Sequence, residues 1–490
     1  MNRRTFLSLA ALSGTAGTAG LAAGCGSGTR QHHPEPPPPL DLSNPLRIPP
    51  LLDPAREPDG VRRYELIMFA GQSELLPGKP TATWGFNGSY LGPTLRASRG
   101  DQVAMTVRNA LPEASTVHWH GMRLPAAMDG GPHQLIASGG QWTPSWTVDQ
   151  PAATTWYHPH PHGATAKHIY RGLAGLFIVD DGLDTELPAA YGTDDIPLIL
   201  QDKKLTDRGR LDGDPLKGPF GILGDRILIN GTYNPRFTVT TARVRLRLLN
   251  ASNARMYHLA FTDRRRFHLV GTDGGLLPAP VETDTLDLTP GERAEILVGF
   301  TPGDNVVLRS LDRGLDIAMG DLDLIRFVAG DQLAPAPALP ATLPAPPPIV
   351  PPAGARVRHF TLSGRDSING RPMDMKRIDE VVPVSAVEIW EVENSTGTSH
   401  NFHIHEVAFQ VLDAADRPTG GHKDTVFTPA HTTVRLAVQF GPFSDPVEPY
   451  MYHCHLLRHE DGGMMGQFVT VVPGTENTVP RSYAGVGHAH

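Results

Sequence analysis

Cysteine is nearly absent. The chain of 490 residues holds two, Cys25 and Cys454, so no disulfide framework can support its fold. Excess positive charge is lacking too: the formal net charge is −8, and no basic cluster stands outside the N-terminus. That argues against a nucleic-acid partner. No apolar run is long enough to span a bilayer. Long stretches with helical periodicity are few, whereas 47 Pro and 51 Gly break the chain into short segments, the pattern of an all-β protein. The length suits two to four domains.

The first residues, Met1-Asn2-Arg3-Arg4-Thr5-Phe6-Leu7, lead into a short run rich in Ala, Gly and Ser that ends near Cys25. Residues 1–25 read as an export signal. Arg3-Arg4 followed by Phe6-Leu7 resembles a twin-arginine signal, which carries folded, cofactor-loaded proteins. Leu21-Ala22-Ala23-Gly24-Cys25 resembles a lipoprotein cleavage box in which Cys25 takes a lipid anchor; ordinary cleavage nearby with secretion is the alternative. Either way the product is exported, to a periplasm or a cell surface. His32-His33 and Pro36 to Pro39 fall in a stiff tether over residues 26–44. Cys454 then has no partner, and metal ligation is one way to protect it.

What the chain has in plenty is repetition. Phe86-Asn87-Gly88, Ile229-Asn230-Gly231 and Ile368-Asn369-Gly370 each precede an alternating strand that stops at an asparagine: Asn109, Asn250 and Asn394. These asparagines lie 141 and 144 residues apart, far longer than a solenoid repeat and the size of a whole β-sandwich. Three related sandwiches in tandem are expected over 45–184, 190–330 and 354–475, with a Pro-rich linker at 331–353 and a tail at 476–490.

The 22 histidines are clustered. Four His-x-His pairs carry the pattern: His118/His120, His158/His160 (a run that His162 extends), His403/His405 and His453/His455. On a strand, alternate side chains share a face, so each pair aims two imidazoles the same way. The first pair lies 9 and 11 residues after Asn109 and the third pair 9 and 11 after Asn394, while the same offsets from Asn250 fall on Leu259 and Phe261. The middle repeat therefore lacks ligands and reads as a spacer. Core histidines without function explain any one pair, but not four pairs in register. Cys454, between His453 and His455, points to the opposite face, and His400 stands an odd three residues before His403. His400, Cys454 and His459 with Met464 in the following loop make a trigonal set with a weak thioether, the pattern of a blue-copper centre. The first repeat has Ser115, Pro159 and Ala164 at the equivalent positions, so one such centre per chain is expected.

At His118-Trp119-His120-Gly121, His158-Pro159-His160, His400-Asn401-Phe402-His403-Ile404-His405 and His453 to Met464, the sequence resembles the multicopper oxidases. Gln201-Asp202-Lys203-Lys204 and Thr272 to Pro278 resemble their bacterial branch of laccases and periplasmic cuprous oxidases. The resemblance implies three cupredoxin-like Greek-key sandwiches working as a monomer with four coppers. Type 1 copper would take His400, Cys454, His459 and Met464, and type 2 would take His118 and His403. The type 3 pair would take His120, His158, His160, His405, His453 and His455. It also implies one-electron oxidation of phenols, aromatic amines or Cu(I), coupled to reduction of O2 to water. Asp129 and Glu460 match acids that supply protons to O2 in that family. A surface glutamate and a turn aspartate are the plain alternatives, and His162 matches no family ligand. The methionine-rich insert of cuprous oxidases is missing, which favours phenols, although a dedicated cuprous oxidase for copper tolerance stays open. A non-catalytic copper-binding relative would keep the fold but lose ligands, and a copper nitrite reductase would leave several histidines unexplained.

Overall fold

The computed structural model describes residues 41–483, apart from 57, 184 and 185, together with residue 485. The export signal, Cys25, most of the tether and the terminal histidines lie outside them. Among the described residues the regular structure is nearly all strand, joined by turns and loops, with two short α-helices, Thr165–Arg171 and Leu457–Gly462. No helix there is long and apolar enough to cross a membrane.

Six sheets form three sandwiches. In the first, a six-stranded sheet built on Arg62–Leu76 and Gln102–Ala110 faces a four-stranded sheet ordered Leu95–Ser98, Gly175–Asp180, Ala153–His158, His118–His120. Strand Gln102–Ala110 shows why: Val103, Met105 and Val107 are at most 1% exposed, while the residues between them face outward. Each such side chain contributes about 1.5–3 kcal/mol on leaving water. The second sandwich pairs a seven- with a six-stranded sheet and the third a six- with a five-stranded sheet, each around its own apolar cluster.

The sequence repeat has a hydrogen-bonding cause. Asn87, Asn230 and Asn369 all adopt left-handed backbone, at φ 54°, 52° and 54°. The Oδ1 of each accepts the backbone N–H of a neighbouring strand, from Ile67, Ile199 and Thr361 at 2.7–2.8 Å. Asparagine tolerates this conformation and supplies both a donor and an acceptor. The strand-ending asparagines work alike. Asn109, Asn250 and Asn394 each accept the N–H two residues on at 3.0 Å. Each also donates Nδ2 to a carbonyl far along the chain, on Ile136, Leu288 and Thr428. They tie the strand end to the loop that carries the next elements.

Two segments depart from the expected layout. Asn44–Pro45 pairs with Pro235–Arg236, so the start of the described chain adds an edge strand to the second sandwich rather than the first. Strand Leu322–Ala334 runs into the Pro-rich stretch, whose remainder is docked: Leu343 and Ile349 are buried, and Ile349 N donates to Gln410 Oε1 at 2.7 Å. Removing the Asn250 amide would leave two buried carbonyls unpaired, at about 1–3 kcal/mol each. Asn250→Ala is therefore expected to lower the melting temperature by roughly 5 °C, and by more than the exposed Asn369→Ala; calorimetry on the two variants checks the order.

Candidate metal centre

The eight paired histidines meet between the first and third sandwiches, on strands that match. His118 stands opposite His158 in one antiparallel pair, and His403 stands opposite His453 in the other. Only His118/His120 lies wholly on a strand. In the other pairs the second histidine falls just past the strand end, although it still faces the same way. Rings from the two sandwiches interleave: His118 stacks on His405 and His120 on His403, both with centroids 3.8 Å apart.

Six of the eight rings are turned by what holds their other nitrogen. A carbonyl only accepts, so a ring nitrogen bonded to one carries the hydrogen and leaves its partner with a lone pair. His118 Nδ1 donates to Asp129 O at 3.0 Å and His403 Nδ1 to Asp424 O at 2.8 Å. Their Nε2 atoms are buried with no partner. His158 Nδ1 donates to Pro159 O and His453 Nδ1 to Cys454 O, while His405 Nδ1 lies 2.7 Å from Asp129 Oδ2. His453 Nε2 then stands 3.1 Å from His160 Nε2 and 3.2 Å from His405 Nε2. Two nitrogens on one tetrahedral ion at about 2.0–2.1 Å would lie roughly 3.3–3.4 Å apart. His120 is reversed. Its Nε2 lies 3.0 Å from Asp424 Oδ1, so Nδ1 faces inward, 3.3 Å from His158 Nε2. His455 completes that group, its ring 5.1 and 5.4 Å from those of His120 and His158, with neither nitrogen bonded.

Burial first, then repulsion among the rings, holds His120, His158, His160, His405 and His453 far below the usual imidazole range; burial and His403 do the same to His455. Neutral rings with converging, unpaired lone pairs are costly without a cation, and the donor set fits one.

Cys454 stands apart from these rings. Its Sγ lies 3.4 Å from His400 Nδ1 and 3.7 Å from His459 Nδ1. His400 Nε2 is held by Thr396 Oγ1 at 3.0 Å and His459 Nε2 by Pro219 O at 2.8 Å, so both Nδ1 atoms face the sulfur. Burial pushes the thiol up to about 12 and the imidazoles of His400 and His459 down to about 3 and about 4. The expected loop here is instead the helix Leu457–Gly462, which carries His459 and Glu460 and ends at Gly463 with φ +107°. Buried Met464 follows, its backbone bonded to Cys454 and His459. The first sandwich has the matching helix Thr165–Arg171, but Ser115 Oγ bonds His168 at 2.9 Å where a ligand would be needed.

Both acids stand against these rings. Asp129 Oδ2 touches His405, and the Glu460 carboxyl, with no hydrogen bond to either ring, lies 3.4 Å from His160 Nδ1 and 3.3 Å from His453 Nδ1. Neither is a surface group: each is 1% exposed. Burial, then Asp461, raises the Glu460 carboxyl well above the usual range. His162 is exposed and joins none of the groups.

Two residues escaped the sequence reading. Asp424, 304 positions from His120, sets that ring's orientation. Buried Arg293 of the second sandwich in turn grips Asp424 through two bonds, one of 2.7 Å from Nη1 to Oδ1. Burial alone would raise the Asp424 carboxyl, but Arg293 and His120 hold it well below the usual range. The middle sandwich thus carries none of the eight paired histidines yet orients one of them. No local spacing signals a contact of that separation.

Three stretches, 69–184, 203–310 and 346–473, match multicopper oxidase domains. The chain belongs to the multicopper oxidase family. It is 34% identical over 432 residues to the multicopper oxidase mco of Staphylococcus aureus, covering 86% of this chain and 92% of that one. It is 37% identical over 445 residues to the cell division protein FtsP of Dickeya dadantii, covering 87% and 92%. The crystal structure of a laccase from Pediococcus acidilactici is 39% identical, with a TM-score of 0.80 and coverage of 87% and 93%. Copper is the metal that membership implies, and the donors fit it. Asp424→Ala and Arg293→Met are expected to weaken copper binding among the eight histidines by roughly 10–100-fold while sparing the Cys454 centre. Copper content, with paramagnetic resonance and visible spectra, checks this.

Proposed function

We propose that this member of the family is a working oxidase with four coppers. One type 1 ion would be held by His400, Cys454, His459 and Met464, and one type 2 ion by His118 and His403. Two type 3 ions would be held by His120, His158 and His455 and by His160, His405 and His453. The observation that carries the reading is the convergence of unpaired ring nitrogens from two sandwiches beside a buried thiol. Bound copper would supply the one-electron steps that join a reducing substrate to four-electron reduction of O2 to water.

The protein's own part is positional. Cys454 has its sulfur in one group and its backbone neighbours His453 and His455 in the other, which makes the chain a short covalent path between them. O2 takes up four protons on becoming two waters, and a buried site needs a carboxylate to pass them. Asp129 and Glu460 are the carboxylates proposed for this, a reading supported by Asp129 standing beside His405 and Glu460 standing near His160 and His453. Phenols, aromatic amines and Cu(I) are the donors proposed, used by a monomer exported through its residues 1–25, with Cys25 as the lipid anchor.

A relative named for cell division rather than for oxidation, FtsP, leaves a second reading, a non-catalytic copper-binding relative. Copper analysis and O2 uptake with a phenol and with Cu(I), on reconstituted protein, separate the two. Four coppers, blue colour and one O2 per four electrons are expected; a colourless, inert protein would establish the second reading. Cys454→Ser is expected to abolish the blue absorption and substrate oxidation while the cluster still takes copper, and retained oxidation would contradict the assigned path. Asp129→Ala is expected to slow reoxidation by O2 by roughly 10²–10⁴-fold, and type 1 reduction by less, as stopped-flow absorbance will measure.

A further inference from the structure

Neither imidazole beside Cys454 reaches solvent: His400 is 0% exposed and His459 1%. The Nε2–H of His459 is already donated to Pro219 O at 2.8 Å, inside the protein. The Phe220 ring covers the same imidazole, centroids 5.9 Å apart, and belongs to the apolar cluster of Cys454 and Met464. Pro219 and Phe220 lie on a strap of the second sandwich, residues 214–224, between strands Asp195–Lys203 and Arg226–Ile229.

The strap is fixed in place. Arg255 Nη2 donates to Gly224 O at 2.7 Å. Gly221 sits at φ +79°, where a Cβ would fall 2.1 Å from Pro215 O and 3.2 Å from Arg458 Cβ, so the chain folds tightly on itself beside the His459 helix. A second loop of the same sandwich covers His400: Asp316 Oδ2 accepts Ser399 N–H at 2.9 Å, and Ile317 is buried in the shared cluster.

We propose that the strap selects the electron donor. With Pro219 and Phe220 over His459, a planar phenol has no seat against the ligand ring, and the protein favours outer-sphere donors, metal ions or small metal complexes that yield an electron without contacting the imidazole. This rests on the type 1 reading of His400, Cys454, His459 and Met464, and it narrows the donors proposed there. The balance of the step differs between the classes. A metal complex loses one electron and keeps its atoms. A phenol loses one electron and one proton and becomes a phenoxyl radical, so it needs close contact with both an electron and a proton acceptor. Four donors of either kind supply the four electrons that, with four protons, convert one O2 to two waters.

Copper-loaded wild type, Phe220→Ala and a variant with residues 215–222 replaced by a short Gly-Ser linker are assayed with ferrocyanide and with 2,6-dimethoxyphenol. The ratio of the two kcat/KM values cancels any loss of folded or loaded protein. Wild type is expected to prefer ferrocyanide at least tenfold, and the ratio to fall at least fivefold in the variants. In metal-free protein, diethylpyrocarbonate followed by peptide mass spectrometry is expected to label His459 in the variants and spare it in wild type. A fall smaller than fivefold in both variants, or equal labelling of His459 in all three proteins, would overturn the proposal. If a fully loaded protein lacks blue colour and oxidises neither donor, the type 1 reading fails, and the labelling still decides whether the strap covers His459.

Discussion

An imidazole has two nitrogens, and a hydrogen bond that holds one of them decides which one the ring presents. That constraint governs the interface between the first and third sandwiches. Asp129 O and Asp424 O hold His118 and His403 by Nδ1, and Pro159 O and Cys454 O hold His158 and His453 likewise. All four present Nε2. His120, held through Nε2 by a carboxylate, presents Nδ1. The backbone carbonyls come from the strand ends and turns that the sandwich fold places there, so fold and ring orientation are one problem. Loosening a turn would turn a ring.

The second sandwich gains a role from the same constraint. A buried Asp424 carboxylate beside neutral rings would be expensive alone; Arg293, itself buried and bonded to three further carbonyls, neutralises and aims it. The same sandwich sends Pro219 to His459 and Asp316 to the residue before His400. A module without ligands thus controls the rim of both groups. Asn401 works from within the third sandwich: its Oδ1 accepts the His455 N–H at 2.7 Å while its Nδ2 donates to Pro290 O of the second. The junction at Cys454 is braced from two sides.

Much of this was legible because strand periodicity is local. Four His-x-His pairs, the odd step from His400 to His403 and the place of Cys454 between two histidines all translate into faces without knowledge of the rest of the fold. The asparagine repeat was legible for a similar reason, since turn geometry selects Asn-Gly and an Asx turn selects Asn at a strand end. The helix at Leu457–Gly462 was not, because six residues with mixed polarity carry no helical period; docking against Thr165–Arg171 decides it, with Asp461 accepting the N–H groups of Thr165 and Ala166. The edge strand Asn44–Pro45 escaped for want of any pattern in two residues.

The sequence alone determined which residue types stand where along each strand, and hence that two groups of donor side chains of different chemistry meet at one cysteine. Only the tertiary structure decided which nitrogen each ring presents, that Arg293 and Asp424 reverse His120, and that residues 214–224 close over His459. The physical reason is separation along the chain. Alternation acts between neighbours, whereas a hydrogen bond between His120 and Asp424 spans 304 residues and one between His459 and Pro219 spans 240. Contacts of that kind exist only once the sandwiches have packed.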